Sequence, residues 1–437
     1  MRVGFVHLGC SKNLIDTEMA IGVFKDENYE IVNDVKKAEV IVVNTCGFIE
    51  SAKQEAIDTI LEMAKYKKIG ICKYLIVMGC LVERYQKELK KALPEVDLFI
   101  PINKYNTFAE EIGKLIKQEK MSQKLDYLNR VISTGNTTTY LKIAEGCSNR
   151  CTYCAIPYIR GPFVSRKMED ILDEAELLAQ KGYKEIIVIA QDTTKYGVDI
   201  YGEPKLAELL EKLCRIEGFK WIRFLYSYPE SITEELIQVV KNNDKICKYF
   251  DIPIQHISNK ILKKMNRRTT REDIISKLEM IKKELPNAIL RTSLIVGFPG
   301  ETEEDFEELY NFVGKGYFDK LGVFKYSKED NTPAERLPEQ VHYKTKQKRF
   351  DKIMTLANEI SKENLKKYIG KEYEVLIENK NYDGKLYVGR TYMDIPDTDG
   401  EVFIKTNKNL KTGTWEKCKI TDVKEYDLIG EIWILKE

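Results

Sequence analysis

Residues 140–160 read YLKIAEGCSNRCTYCAIPYIR. A short apolar run, Tyr140–Ala144, has the look of a strand, and directly after it Cys147, Cys151 and Cys154 stand in a C-x3-C-x2-C spacing. Three thiolates on one tight loop can hold three corners of a cubane, because thiolates are the ligands that iron–sulfur centres require. The fourth iron then has no protein ligand, and the amino-carboxylate end of a small molecule can chelate it. The competing reading is a structural zinc site. That needs a fourth Cys or His near by, and the next histidine, His256, is far along the chain.

Working outward, the strand is the first of a β/α series. Glu185–Ala190, Trp221–Leu225, Phe250–Ile254, Ala288–Val296 and Leu321–Tyr326 are the further strand-like runs. Met168, Ile171, Leu172, Ala175, Leu178 and Ala179 form a 3.6-residue stripe before the second of them. Six such units predict an incomplete TIM-like barrel over 139–369, with its chemistry at the C-terminal ends of the strands. The same placement puts Gln191 and Asp192 at the barrel mouth, unless they only cap the next helix. Gln255 and His256 end the fourth strand, Arg291 lies within the fifth, and Gly297-Phe-Pro-Gly300-Glu301 closes it. The last is not a phosphate loop, since the Gly-Lys-Ser/Thr ending is missing. Residues 344–368 read as one long helix stopped near Gly370. Beyond it, over 370–437, short alternating stretches (YEVLIE, KLYVGRT, EVFIKT, CKITDV, EIWILK) split by Asp-Gly and Thr-Gly turns predict a small antiparallel β-barrel.

Upstream, residues 118–138 are polar and carry neither period, which reads as a linker. Residues 1–117 alternate strand and helix, implying a parallel sheet with helices on both faces. Cys10 follows the run Val3–Leu8, Cys46 follows Val40–Asn44, and Cys80 follows Tyr74–Met78. In a parallel sheet all three lie on one edge, where open α/β sheets form ligand crevices. Gly9, Gly47 and Gly79 leave room beside each thiol. A lone free cysteine is often a small core residue. Three in register predict a second three-cysteine 4Fe–4S cluster. Cys72, Cys214, Cys247 and Cys418 fit neither trio.

CSNRCTYCAIPYIRG resembles the radical S-adenosylmethionine superfamily. The resemblance implies that Cys147, Cys151 and Cys154 ligate the cluster, that the open iron binds S-adenosylmethionine, and that Tyr153 lies beside the cluster and the adenine. It also implies cofactor or substrate contacts for Gln191, Asp192, Gln255, Arg291 and the Gly297 segment. Two open-iron clusters in one chain resemble the methylthiotransferases: a flavodoxin-like N-terminal domain, a radical barrel and a TRAM-type β-barrel. Within that family LGCSKNLIDTE, NTCGFIESAKQEAIDTI, IAQDTTKYGVDIYG, FDIPIQHISNKILKKMNR and VFKYSKEDNTPA look like the branch acting on small-subunit ribosomal protein number twelve, where the methylthio group goes onto an aspartate β-carbon. Such an enzyme takes electrons from a flavodoxin or ferredoxin. The alternatives are a tRNA adenosine methylthiotransferase and a non-catalytic ribosome- or RNA-binding iron–sulfur protein.

Composition sets outer bounds. The chain has 437 residues, 43% hydrophobic and 32% charged, with a formal net charge of +1, so nothing global pulls it to nucleic acid or an anionic membrane. Lys371–Glu437 carries 11 basic and 14 acidic residues, a poor match to phosphate. Ten cysteines with no export signal and no run long enough to span a bilayer predict a cytoplasmic protein without a disulfide framework. Arg160, Arg166, Arg267 and Arg268 could pair with a substrate carboxylate, though solvated surface charge is the simpler reading for each.

Overall fold

The structure is a computed structural model that describes residues 1–117, 121, 123–380 and 386–433. Among them, β1 (Arg2–His7), β2 (Glu30–Val32), β3 (Val40–Thr45), β4 (Tyr74–Gly79) and β5 (Leu98–Ile100) form a parallel sheet in the order β2-β1-β3-β4-β5. That is the flavodoxin-like doubly wound order. Every residue of β3 is buried, as a central strand covered on both faces must be. Its alternate side chains feed two cores. Val40 and Val42 pack with Phe24 and Phe108, and Ile41 and Val43 pack with Ala56 and Ile60. The covering helices are α1 (Ser11–Asp26), α2 (Glu50–Ala64) with the short α3 (Tyr66–Ile69), α4 (Cys80–Ala92) and α5 (Phe108–Ile116).

The barrel strands are β6 (Thr138–Lys142), then the small pair β7 (Ala144–Glu145) and β8 (Val164–Ser165), then β9 (Glu185–Ile189), β10 (Trp221–Phe224), β11 (Tyr249–Asp251), β12 (Ile289–Val296) and β13 (Lys320–Lys325). They form two parallel ladders, β6-β9-β10 and β11-β12-β13, joined through the bridge Ile222↔Ile246. β11 is shorter than the run Phe250–Ile254 predicts. Pro253 has no N–H to give a ladder, and Gln255 sits at φ +69°. Helices α6 (Ile156–Arg160) and α7 (Met168–Gln180) follow the cysteine loop.

The C-terminal module closes as β14 (Glu372–Lys380), β15 (Leu386–Arg390), β16 (Val402–Thr406), β18 (Leu428–Ile432) and β17 (Trp415–Val423) in that spatial order. Its pairings are antiparallel except β16–β18, which is parallel and corrects the all-antiparallel expectation. The last strand begins three residues earlier than EIWILK suggested. Residues 434–436 of that stretch, and the Asp383-Gly384 turn, lie outside the described residues. The strap between β15 and β16 stops the bottom of the radical barrel. Arg390 and Arg223 clasp Glu185 at 2.7 and 2.5 Å, Asp394 takes Lys320 at 2.6 Å, and Asp399 accepts from the Tyr249 hydroxyl at 2.6 Å. Glu185, Tyr249 and Lys320 are the first residues of their strands.

The described part of the polar segment 118–138 is not a free tether. Arg130 is buried between Glu18 of α1 and Glu174 of α7 and donates to Tyr140 O at 2.5 Å. Ser133 N adds a bond to Glu18 at 2.8 Å.

Candidate functional site

Cys10, Cys46 and Cys80 leave the same edge of the N-terminal sheet, just past β1, β3 and β4. One side chain ties the three strand ends together. The buried amide of Asn13 donates to Leu8 O at 3.1 Å and Thr45 O at 2.9 Å, and its Oδ1 accepts from Cys80 Sγ at 3.4 Å. The glycines are steric requirements here. At Gly79 (φ +103°) a Cβ would lie 2.2 Å from Asn44 Oδ1, and at Gly9 (φ +95°) 2.8 Å from Cys46 Cβ. Cys10 is exposed, Cys46 half-buried and Cys80 buried. Burial pushes the Cys80 thiol up to about 12. The Arg160 guanidinium opposes that push, and the nearby Cys10 and Cys46 sulfurs add to it.

The loop trio is built as tightly. Gly146 (φ +71°) has Pro162 O where a Cβ would stand, and Cys147 N bonds Gly161 O at 3.1 Å. Thr152 fastens the loop to the segment after β11, through its N to Met265 O at 3.0 Å and its hydroxyl to Lys264 O at 2.9 Å. Asn149 donates to Asp192 at 2.8 Å and accepts from Lys195. Asp192 is therefore a buttress of the cysteine loop, fully buried, with its carboxyl pushed up by desolvation. The Tyr228 hydroxyl lies 3.7 Å from Cys151 Sγ, and Tyr153 packs beside it against Phe298 and Tyr326. Burial raises the Cys154 thiol, with Cys151 and Cys147 among the groups raising it further.

A buried ionic junction joins the two trios. Arg160, six residues beyond Cys154, donates to Asp16 at 2.8 Å, to Asn13 Oδ1 at 2.5 Å and to Glu145 at 3.0 Å, and its Nη2 is 3.6 Å from Cys80 Sγ. Lys142 completes the square through Asp16 at 2.7 Å and Glu145 at 2.9 Å. Gln191 donates to Glu145 at 3.3 Å, and its buried Oε1 has no partner among the described residues. On the opposite rim Arg84 reaches Gly47 O at 2.7 Å and Glu329 at 2.8 Å, and Tyr85 bonds Asp330 at 2.7 Å. The N-terminal domain thus holds both edges of the open barrel, at the ends of β6 and β13.

Other anticipated residues stand elsewhere. Arg291 pairs with Asp251 at 2.9 Å and Asp399 at 3.5 Å, in register with the first residue of β13, so it braces the C-terminal strap at the closed end. The amides of Gly297 and Phe298 are taken by Glu301 Oε2 at 2.6 and 3.1 Å, which leaves them no role as a free cradle. Burial raises Glu301 to about 7 against Arg349. His256 is fully buried and neutral, lowered to about 3 by desolvation, with Nδ1 accepting from Ser258 N. Gln255 is half-buried at a left-handed φ, its backbone bonded to Ser293 and Ile295. Arg160 and Arg267 are buried, Arg166 binds Glu174 at 2.5 Å, and Arg268 is exposed. Among the described residues no group of three His, Cys, Asp or Glu side chains meets the geometry of a single bound metal ion, and no helix is long and apolar enough to cross a membrane. The donor sets do suit a cubane. Each is three soft sulfurs in mutual electrostatic reach, beside glycines whose neighbours leave no space for a Cβ, Gly9 and Gly79 in one and Gly146 in the other.

Comparison with known proteins agrees with this layout. Residues 141–313 match the radical SAM superfamily, 2–101 the uncharacterized protein family UPF0004, and 369–432 the TRAM domain. The ribosomal protein uS12 methylthiotransferase RimO of Alkaliphilus oremlandii is 60% identical over 99% of both chains, and that of Clostridioides difficile is 51% identical over 99% of both. Among solved structures, the radical S-adenosylmethionine methyltransferase TsrM from Kitasatospora setae, with cobalamin and a 4Fe–4S cluster bound, superposes with a TM-score of 0.58 at 13% identity over 76% of each chain, a likeness of fold. At this identity and coverage the chain belongs to the RimO family of radical S-adenosylmethionine methylthiotransferases.

Proposed function

We propose that the chain places a methylthio group on the β-carbon of an aspartate in ribosomal protein uS12, using two 4Fe–4S clusters. Cys147, Cys151 and Cys154 hold the cluster that binds S-adenosylmethionine, and Cys10, Cys46 and Cys80 hold the one that carries sulfur. When bound, the first cluster and S-adenosylmethionine supply a carbon radical able to take hydrogen from an unactivated C–H bond, which acid–base groups cannot do. The chain's own residues set the geometry. Asp192 and Lys195 fix the cysteine loop through Asn149, and Asn13 fixes the three strand ends. Gln191, with its free Oε1, and Tyr153 line the mouth for the adenosyl group. Residues 1–117 carry the sulfur site, 139–369 the radical site and 370–437 the accessory barrel, and the reductant is a flavodoxin or ferredoxin of the cytoplasm.

The observation carrying this reading is Arg160. A residue on the helix launched by the loop cysteines touches a thiol of the other trio, so the two sites share one wall. The acidic balance of 370–437 favours a basic ribosomal protein over tRNA as substrate. Anaerobic iron and sulfide analysis tests the two-cluster content. Wild type should hold about eight irons, and replacing Cys10, Cys46 and Cys80 by Ala should leave about four with S-adenosylmethionine cleavage intact. Retention of all the iron refutes the sulfur site. Modification of an adenosine stem-loop, and not of a uS12 peptide bearing the aspartate, refutes the substrate.

A further inference from the structure

Arg267 is a buried cation without a counter-ion. It is 6% exposed, and its side chain makes one hydrogen bond, from Nη2 to Pro253 O at 2.9 Å. Among the described residues Nε and Nη1 are enclosed by protein and have no acceptor, carboxylates included. Burying an unpaired guanidinium is costly by several kcal/mol, so those two N–H groups face something that supplies negative charge. Their surroundings point in one direction. The guanidinium lies 4.2 Å over the ring of Tyr228, whose hydroxyl is 3.7 Å from Cys151 Sγ. Burial works against its charge, and Tyr153, Tyr228 and the Cys151 sulfur, in that order, favour it ahead of exposed Glu230; its own charge is felt at Cys154. The segment just before it is bonded to the cysteine loop, Lys264 O and Met265 O accepting from Thr152 and the Asn266 side-chain amide donating to Arg150 O, so its position relative to the thiols is fixed.

We propose that Arg267 is the charge partner of the loop-held cluster, its Nε and Nη1 being left free for an acceptor that the bound cluster would supply. The inference rests on the assignment of Cys147, Cys151 and Cys154 as ligands. A three-thiolate cubane is anionic and gains a further negative charge on reduction. A fixed cation at its side therefore favours the reduced state and raises the potential. Arg267 acts through the cluster and is a positioning residue.

The test is an anaerobic redox titration of the full-length, iron-loaded protein followed by electron paramagnetic resonance. The loop cluster is recognised as the one whose spectrum changes when S-adenosylmethionine is added. Arg267→Met and Arg267→Gln should shift its reduction equilibrium about tenfold towards the oxidised form, 59 mV for one electron. Arg267→Lys, which keeps the charge, should stay close to wild type. If the Met variant fails to retain the cluster, the Gln and Lys variants decide: loss or lowering in Gln with retention in Lys supports the proposal, and equal loss in all three overturns it in favour of packing. An unmoved midpoint with full iron also overturns it. So does an unmoved midpoint with weakened S-adenosylmethionine binding, which would assign the free donors to the ligand's carboxylate. Failure of the ligand assignment reads differently: a Cys147→Ala/Cys151→Ala/Cys154→Ala chain would then keep its full iron.

Discussion

Asp16→Ala should separate the two halves of the reaction. The Asp16 side chain is 2% exposed and accepts from Lys142 at 2.7 Å and Arg160 at 2.8 Å, so it joins the N-terminal domain to two cations of the barrel. Its removal leaves Glu145, whose side chain is 31% exposed, as the carboxylate partner of both. Deleting one partner of a buried ion pair costs about 3–5 kcal/mol. At 1.4 kcal/mol per factor of ten, that is roughly a hundred- to four-thousand-fold in the ratio of docked to undocked domain. The loop cysteines and Asp192 are untouched, so reductive cleavage of S-adenosylmethionine should continue, while methylthio product per cleavage falls at least about tenfold. The assay counts 5′-deoxyadenosine and methylthiolated peptide in the same reaction, with hydrogen exchange read along α1. Unchanged coupling together with unchanged protection of α1 would refute the view that this junction aligns the sites.

Other predictions address single features. In metal-free native protein, alkylation should proceed in the order Cys10, Cys46, Cys80, because exposure falls along that series and burial holds the Cys80 thiol protonated with its value near 12; mass-spectrometric mapping checks the order. Gly79→Ala should cost more than about 1 kcal/mol by denaturant unfolding and lose the N-terminal cluster, since its Cβ meets Asn44 Oδ1 and Thr45 O with no space to retreat. Glu185 lies at about 2, its burial outweighed by Arg390 and Arg223, below the ordinary 4.5 of a free carboxyl. Its contribution is therefore complete above pH 4.5 and is lost as pH falls towards 2. Fluorescence of the edge-to-face pair Trp221–Trp415 at that seam, with ring centroids 5.3 Å apart, should report the release, and a signal flat across that window would contradict it. Asp192→Asn keeps the side chain's size but replaces by an NH2 donor one of the two oxygens that accept from Asn149 and Thr194. It should lower iron retention at the loop and leave melting of the C-terminal module unchanged.

Much of this was legible in the chain because strand ends are legible. A cysteine within two residues after the end of an apolar run in a parallel sheet must lie on the functional edge, whatever the long-range packing. The same logic misplaced Arg291. Its strand was found, but a residue early in β12 belongs to the closed end, and depth along a strand is not written in its periodicity. β2 is three residues long and half-exposed, too brief to show a period. Arg267 was hidden in the basic run KILKKMNRR, where only tertiary packing separates a buried guanidinium from its exposed neighbour Arg268. Asn13 could have been noticed as a polar residue one turn past Cys10, but its three partners arrive from separate strands. The stretch around Arg130 reads as free because it is polar and aperiodic, whereas that one guanidinium is the rivet between α1 and α7.

The strap 391–399 has a further bearing on how such enzymes can be re-engineered. Because Asp394, Asp399 and the Tyr392 carbonyl serve as counter-ions and acceptors for Lys320, Tyr249 and Arg223, the terminal β-module is part of the barrel's floor. Grafting another relative's module onto this chain would transplant half of a lock. A chimaera keeps its shape only when the strap and the matching strand-start residues travel together.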